Sequence, residues 1–137
     1  MSSLANPDLP RGSETVLLVE DEPLVRNLAS HVLRNQGYTV LEASNGINAL
    51  SIAQSSPSSQ IDLVLTDVVM PQMGGRELVS HLQAVFPNIR VLFMSGYAEE
   101  FMSYHNSLNP DFGFIEKPFM PNALVTKVRE VIDRVYS

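Results

Sequence analysis

The stretch Ile61–Gly75, IDLVLTDVVMPQMGG, constrains this chain more than any other. Leu63–Leu65 is an unbroken apolar run ending at Thr66 and one carboxylate, Asp67. Pro71 and the pair Gly74-Gly75 then break regular structure. A short apolar run between breakers reads as a strand buried on both faces, the kind found in parallel sheets. A carboxylate at the carboxyl end of such a strand is costly to bury alone, so it should face a crevice or a cation. Ligands of open α/β sheets bind along that edge. Asp67 is therefore the expected chemical centre, and the question is what else converges on it.

Four further runs resemble strands. Thr15–Val19 ends in Glu20, Asp21 and Glu22, and Pro23 suits the first turn of a following helix. Leu24, Val25, Leu28, Val32 and Leu33 recur at helical spacing, and Gly37 sits where a C-cap belongs. Tyr38–Leu41 is a short strand; Ser44 or Asn45 caps a helix with Ile47, Leu50 and Ala53 on one face, and Ser55–Ser59 is a loop. Arg76–Phe86 reads as a helix with Leu78, Val79, Leu82 and Phe86 inward, stopped by Pro87. Ile89–Met94 and Phe112–Ile115 are the last two strands. Between them the spacing allows a short helix over Tyr97–Tyr104, although Ser103–Pro110 is loop-like. Pro121 opens a final helix with Leu124, Val128, Val131, Ile132 and Val135 in register. The pattern is β-α repeated five times. It demands an α/β doubly wound parallel sheet with helices on both faces, for which two strand orders are common.

The 137 residues suit one domain, expected over 14–137, behind a flexible tail or linker over 1–13. Net charge is −6 without a Lys/Arg cluster, which argues against nucleic-acid binding by this chain. No apolar run is long enough to span a bilayer and no signal peptide is visible, so no membrane contact is expected. The absence of cysteine excludes disulfides and thiolate metal sites and fits a cytoplasmic location.

In a parallel sheet the strand C-termini share one edge. That edge then holds Glu20, Asp21, Asp67, Ser95 and Lys117. Three carboxylates do not all stay ionised together without a cation. A hard divalent ion with oxygen ligands, Mg²⁺, resolves this. Lys117 adds a point charge suited to a phosphoryl oxygen, Ser95 a hydrogen-bond donor, and Gly96 an unshielded backbone N–H. These are the parts that phosphoryl transfer needs, with a carboxylate as nucleophile.

VLLVEDEP, LVLTDVVMPQMGGREL, VLFMSGY and FIEKPF, each at a strand end and in this order, resemble the receiver domain of two-component response regulators. RGSETVLLVEDEP is similar to the junction before the C-terminal receiver of hybrid sensor histidine kinases. The resemblance implies the flavodoxin-like order 2-1-3-4-5. It also implies Asp67 as phosphoacceptor and Asp21 as a direct Mg²⁺ ligand. Glu20 would act through a metal-bound water, and the Val69 backbone carbonyl would be a further ligand. Ser95 and Lys117 would follow the phosphoryl group, Phe114 would be the switch aromatic, and Lys117–Pro118 would be cis. The implied partner is a histidine kinase or a histidine phosphotransfer protein. A homodimer through the fourth helix, fifth strand and fifth helix is a further expectation. Such a domain is a signalling phosphoacceptor rather than an enzyme, although it assists its own phosphorylation and dephosphorylation.

Blander readings exist for each residue. Glu22 is a solvated turn residue, Met70 and Pro71 shape a loop, and His31, His81 and His105 are exposed. A receiver-like interaction module without phosphorylation is one alternative, which the intact acids and lysine count against. An aspartyl-phosphate phosphohydrolase is another. There, haloacid-dehalogenase-like enzymes place a second Asp two residues after the nucleophile, where this chain has Val69.

Overall fold

The structure, a computed structural model, describes residues 9–55, 60–96 and 112–134. Five parallel strands form one sheet: β1 (Thr15–Val19), β2 (Thr39–Ala43), β3 (Leu63–Asp67), β4 (Arg90–Ser95) and β5 (Gly113–Glu116). Their order is β2-β1-β3-β4-β5. Of the two strand orders left open by the residue pattern, this is the one that the family resemblance implied. Four helices are described: α1 (Pro23–Asn35), α2 (Gly46–Gln54), α3 (Gly75–Val85) and α4 (Pro121–Asp133). The additional helix considered over Tyr97–Tyr104 lies outside the described residues, as does His105.

Both faces of the sheet are covered, so alternate residues of each strand enter different cores. Leu17, Val19, Val64, Val91 and Phe93 pack with α2 and α3. Val16, Leu18, Leu63, Leu65 and Met94 pack with α1 and α4. This explains why the strands carry no polar alternation. Parallel register sets Leu65 against Leu92 and Asp67 against Met94, which brings the strand ends level along one edge.

The third and last helices bury the faces their spacing asked for, Leu78, Val79 and Leu82 in α3 and Leu124, Val128 and Val131 in α4, whereas α1 and α2 do so only in part. α1 buries Ala29, Ser30 and Leu33, leaving Leu24 (78%) and Leu28 (45%) exposed. α2 turns Gly46, Ala49 and Ala53 inward, so Ile47 is solvent-facing. Leu33 of α1 and Ala53 of α2 are buried as expected, and Val32 and Leu50 pack against the two cores from partly buried positions. Asn45, rather than Ser44, caps α2, its side chain accepting from the Asn48 N–H at 2.7 Å.

Residues 9–13, grouped by sequence with a flexible tail, are hydrogen-bonded to the body of the domain. Gly12 N–H donates to the Gln36 carbonyl at 3.0 Å. Gln36 Nε2 donates to the carbonyls of Leu9 and Pro10. Gly37 has φ +106°, and a side chain there would collide with the Gly12 carbonyl. Arg129 of α4 closes the arrangement, reaching Glu14 at 2.7 Å, the Arg11 carbonyl at 3.3 Å and Tyr38 Oη at 3.3 Å.

Candidate functional site

Glu20 follows β1 and is fully buried, while Asp21 beside it is exposed. Glu20 Oε2 accepts from the Glu22 N–H at 3.0 Å, which closes a tight turn before Pro23 begins α1. Asp67 is the last residue of β3 and is buried. α3 begins close behind it: Gly75 N–H donates to the Val68 carbonyl at 2.8 Å, and a Cβ at Gly75 would collide with the Asp67 carbonyl. The intervening loop turns sharply at Gln72, whose φ is +73°, with Met73 N–H bonded to the Pro71 carbonyl at 2.8 Å. That is a γ-turn, a strained conformation for a residue other than glycine. The loop buries Met70 and leaves Val69 61% exposed.

Lys117 joins the strands. Its Nζ lies 2.6 Å from Asp67 Oδ1 and 2.7 Å from Glu20 Oε1. Its backbone N–H donates to the Ser95 carbonyl at 2.7 Å, continuing the β4–β5 pairing past the strand end. The Lys117–Pro118 peptide is cis. Ser95 is buried at the end of β4, and the exposed Gly96 follows with open space where a Cβ would stand. These groups surround a cavity of about 610 Å³ lined by Asp21, Asp67, Val69, Ser95, Gly96 and Lys117, among others.

The charges are unequal to one another. Burial, then the neighbouring Glu20 carboxylate, pushes Asp67 up to about 8 against the pull of Lys117. Burial also opposes the Glu20 charge, but its bonds to Asp67 and Lys117 outweigh that, and its pKa is lowered. Burial and then Glu20 raise Asp21. Burial works against Lys117 too, yet the two carboxylates hold its pKa above the ordinary value. One lysine is thus shared by more negative charge than it neutralises.

A cation fits this imbalance. One oxygen from each of Glu20, Asp21 and Asp67 lies within 4.8 Å of the others. Asp67 Oδ2 is buried with no hydrogen-bond partner among the described residues. An all-oxygen donor set with a buried lone-pair donor suits a hard divalent ion. Every site residue named from sequence falls among the described residues, and those at the strand ends meet at one edge. Phe114 stands apart from the acids: it is buried in the core, stacked on Phe93 with ring centroids 5.5 Å apart. His31 and His81 are exposed and lie away from the cavity-lining residues.

Sequence reasoning missed Arg26, whose Nη1 donates to the Glu20 carbonyl at 2.8 Å. The available signal was a cation on the first helix, little more than a turn after the acidic run.

Residues 16–129 match the response regulator receiver domain family. The chain is 42% identical over 123 residues to a sensor kinase, CckA, of Brucella abortus, covering 90% of this chain and 13% of that protein. It is 36% identical over 87 residues to sporulation initiation phosphotransferase F of Bacillus subtilis, covering 64% of this chain and 68% of that one. The crystal structure of the receiver domain from the hybrid histidine kinase CckA superposes with a TM-score of 0.72 at 34% identity, covering 87% of this chain and 99% of that one. Sheet order, strand-end chemistry and these likenesses agree, and the chain belongs to the response regulator receiver domains, the phosphoacceptor modules of two-component signalling.

Proposed function

We propose that Asp67 accepts a phosphoryl group from a phosphohistidine on a histidine kinase or histidine phosphotransfer protein. The observation carrying this is the buried, unpartnered Asp67 Oδ2 at a cavity that also holds the Lys117 ammonium. An Asp67 oxygen forms the new P–O bond as the partner's P–N bond breaks, and the imidazole leaves with the bonding pair. Lys117 then follows the charge from the carboxylate to a phosphoryl oxygen, and the Ser95 hydroxyl and Gly96 N–H donate to others. Glu20, Asp21 and Asp67 would hold Mg²⁺, with the Val69 carbonyl as a further ligand. When bound, the ion neutralises charge on the phosphoryl oxygens. Ser95 and Phe114 then shift the equilibrium between two packings of β4, β5 and α4.

Apolar surface beside the crevice supports a docking face for this partner. A second cavity, about 310 Å³ and lined by Val25, Leu28, Gly96, Lys117, Pro118 and Phe119, shares Gly96 and Lys117 with the first. Leu24, Leu28 and Met120 are exposed on the elements around it. A protein face covering them would present its phosphohistidine to the crevice. The similarity to the receiver of a hybrid histidine kinase supports a place in such a kinase. Among the described residues no helix is long and apolar enough to cross a membrane. A cytoplasmic location and a homodimer through β5, α4 and the helix expected before β5, which lies outside the described residues, belong to the same reading.

Incubation with a phosphorylated kinase core and Mg²⁺ should label the wild type and leave Asp67→Asn unlabelled. Equal labelling of both would defeat the assignment. Beryllofluoride with Mg²⁺ should shift the amide resonances of Asp67 and Ser95; unchanged spectra would favour an interaction module. Rapid Mg²⁺-dependent hydrolysis of a simple phosphomonoester would favour a phosphohydrolase.

A further inference from the structure

Arg26 lies on α1, outside the crevice, and none of the steps above uses it. Its Nη1 donates to the Glu20 carbonyl at 2.8 Å, and its Nε lies 3.8 Å from Glu42 Oε1 on β2. Glu42 is itself held: Oε2 accepts from Ser30 Oγ at 3.1 Å and from Arg34 Nη2 at 3.2 Å. Arg34 is fixed in turn by Ser30 Oγ at 3.0 Å and the Val40 carbonyl at 2.8 Å. On its other side Glu20 donates its N–H to the Ala43 carbonyl at 3.1 Å, one residue beyond Glu42. Glu20 is therefore tied to β2 twice, directly through Ala43 and indirectly through Arg26 and Glu42.

The carbonyl that Arg26 grips belongs to the peptide joining the two acids of the crevice. Fixing that peptide plane fixes the direction in which Asp21 leaves β1. A guanidinium suits the task because its rigid planar group donates to the Glu20 carbonyl while its charge stays paired with Glu42. The Arg26 and Glu42 side chains are 20% and 33% exposed, so water screens their pairing less than on an open surface.

We propose that Arg26, steadied by Glu42, is a positioning residue that holds the Glu20–Asp21 peptide in the geometry a divalent cation requires. The inference rests on the metal reading of the crevice. Its sign is diagnostic. A guanidinium acting through charge alone repels the cation, so its removal would tighten Mg²⁺ binding. A guanidinium acting by position weakens binding when removed.

The test is Mg²⁺ titration by calorimetry and amide NMR on wild type, Arg26→Met, Arg26→Lys and Glu42→Gln. Arg26→Met should bind Mg²⁺ roughly tenfold more weakly, the range seen when supports of metal ligands are lost. Arg26→Lys should recover part of the loss, since it keeps a donor but not the rigid planar group. Glu42→Gln keeps the Arg26 charge and should weaken binding in the same direction, and the double variant should bind no worse than Arg26→Met. Binding unchanged or tightened in Arg26→Met overturns the proposal. A metal-free readout runs beside it: exchange of the Glu22 amide, bonded to Glu20 Oε2, should speed up in Arg26→Met. Should the wild type bind no Mg²⁺, the metal reading fails, and an unchanged Glu22 exchange rate would sink the role of Arg26 separately. Should Arg26→Met fail to fold, wild-type affinity and exchange in Glu42→Gln would overturn the proposal.

Discussion

Lys117 Nζ lies 2.6 Å from Asp67 Oδ1 at the edge of the sheet, so the carboxylate expected to react is paired before any partner arrives. The same ammonium also holds Glu20 at 2.7 Å. Two buried carboxylates on one lysine leave Asp67 under-neutralised, and its pKa is raised to about 8 by burial and then by Glu20.

That shift has a sign in stability. Between its unfolded value of 3.8 and about 8, Asp67 binds its proton more tightly in the folded chain. Its contribution to stability therefore falls as pH rises through that window. Asp67→Asn removes the Asp67 part of the slope. In EDTA the variant should be more stable than wild type at pH 8 by about 1–2 kcal/mol, with a smaller difference at pH 5. Urea melts at both pH values check this, and a gap that shrinks with rising pH would contradict it.

Phe114 is buried and stacked on Phe93, so its core role exists before any switching role. Phe114→Ala should lower stability by about 3–5 kcal/mol, and Phe114→Leu by less than about 1.5 kcal/mol. Denaturant midpoints of the two variants decide. A loss below 1 kcal/mol for alanine would mean that the ring is not held as the structure has it.

Glu14 is lowered to about 2, chiefly by its hydrogen bond with Arg129. The sign is opposite to that of Asp67. The Glu14 contribution is present above its unfolded value of 4.5 and is lost as pH falls toward 2. Glu14→Gln should be less stable than wild type by about 0.5–1 kcal/mol at pH 7, given partial solvent screening, and equal to it near pH 2. Deleting residues 1–12 should also lower the melting temperature, because it removes the bonds from Gly12 and Gln36. A deletion with an unchanged melting temperature would show that the segment adds nothing.

Val69 lines the cavity and is mostly exposed. On the proposed function, an apolar side chain there would crowd a water approaching the phosphoryl group without orienting it. Val69→Asn should shorten the aspartyl-phosphate lifetime severalfold, measured as loss of label after the donor is removed. A lifetime equal to or longer than that of wild type would contradict this.

Strands buried on both faces are uniformly apolar and end at polar residues, so the β-α alternation and the strand-end chemistry of Glu20, Asp21, Asp67, Ser95 and Lys117 were legible along the chain. Period and boundary signals are local, and they suffice for elements and for the edge those elements share. The inward faces of α3 and α4 were legible, with Leu78, Val79 and Leu82 and with Leu124, Val128 and Val131 buried as their spacing asked. Those of α1 and α2 were legible only in part: Leu24, Leu28 and Ile47 satisfy helical spacing but are exposed, while Ala29 and Ala49 are buried. The attachment of residues 9–13, the grip of Arg26 on the Glu20 carbonyl and the sharing of Lys117 between two acids join distant parts of the chain. Spacing carries no record of such contacts. They depend on the order in which the strands are laid side by side, and tertiary packing alone sets the distances and the burial that shift these charges.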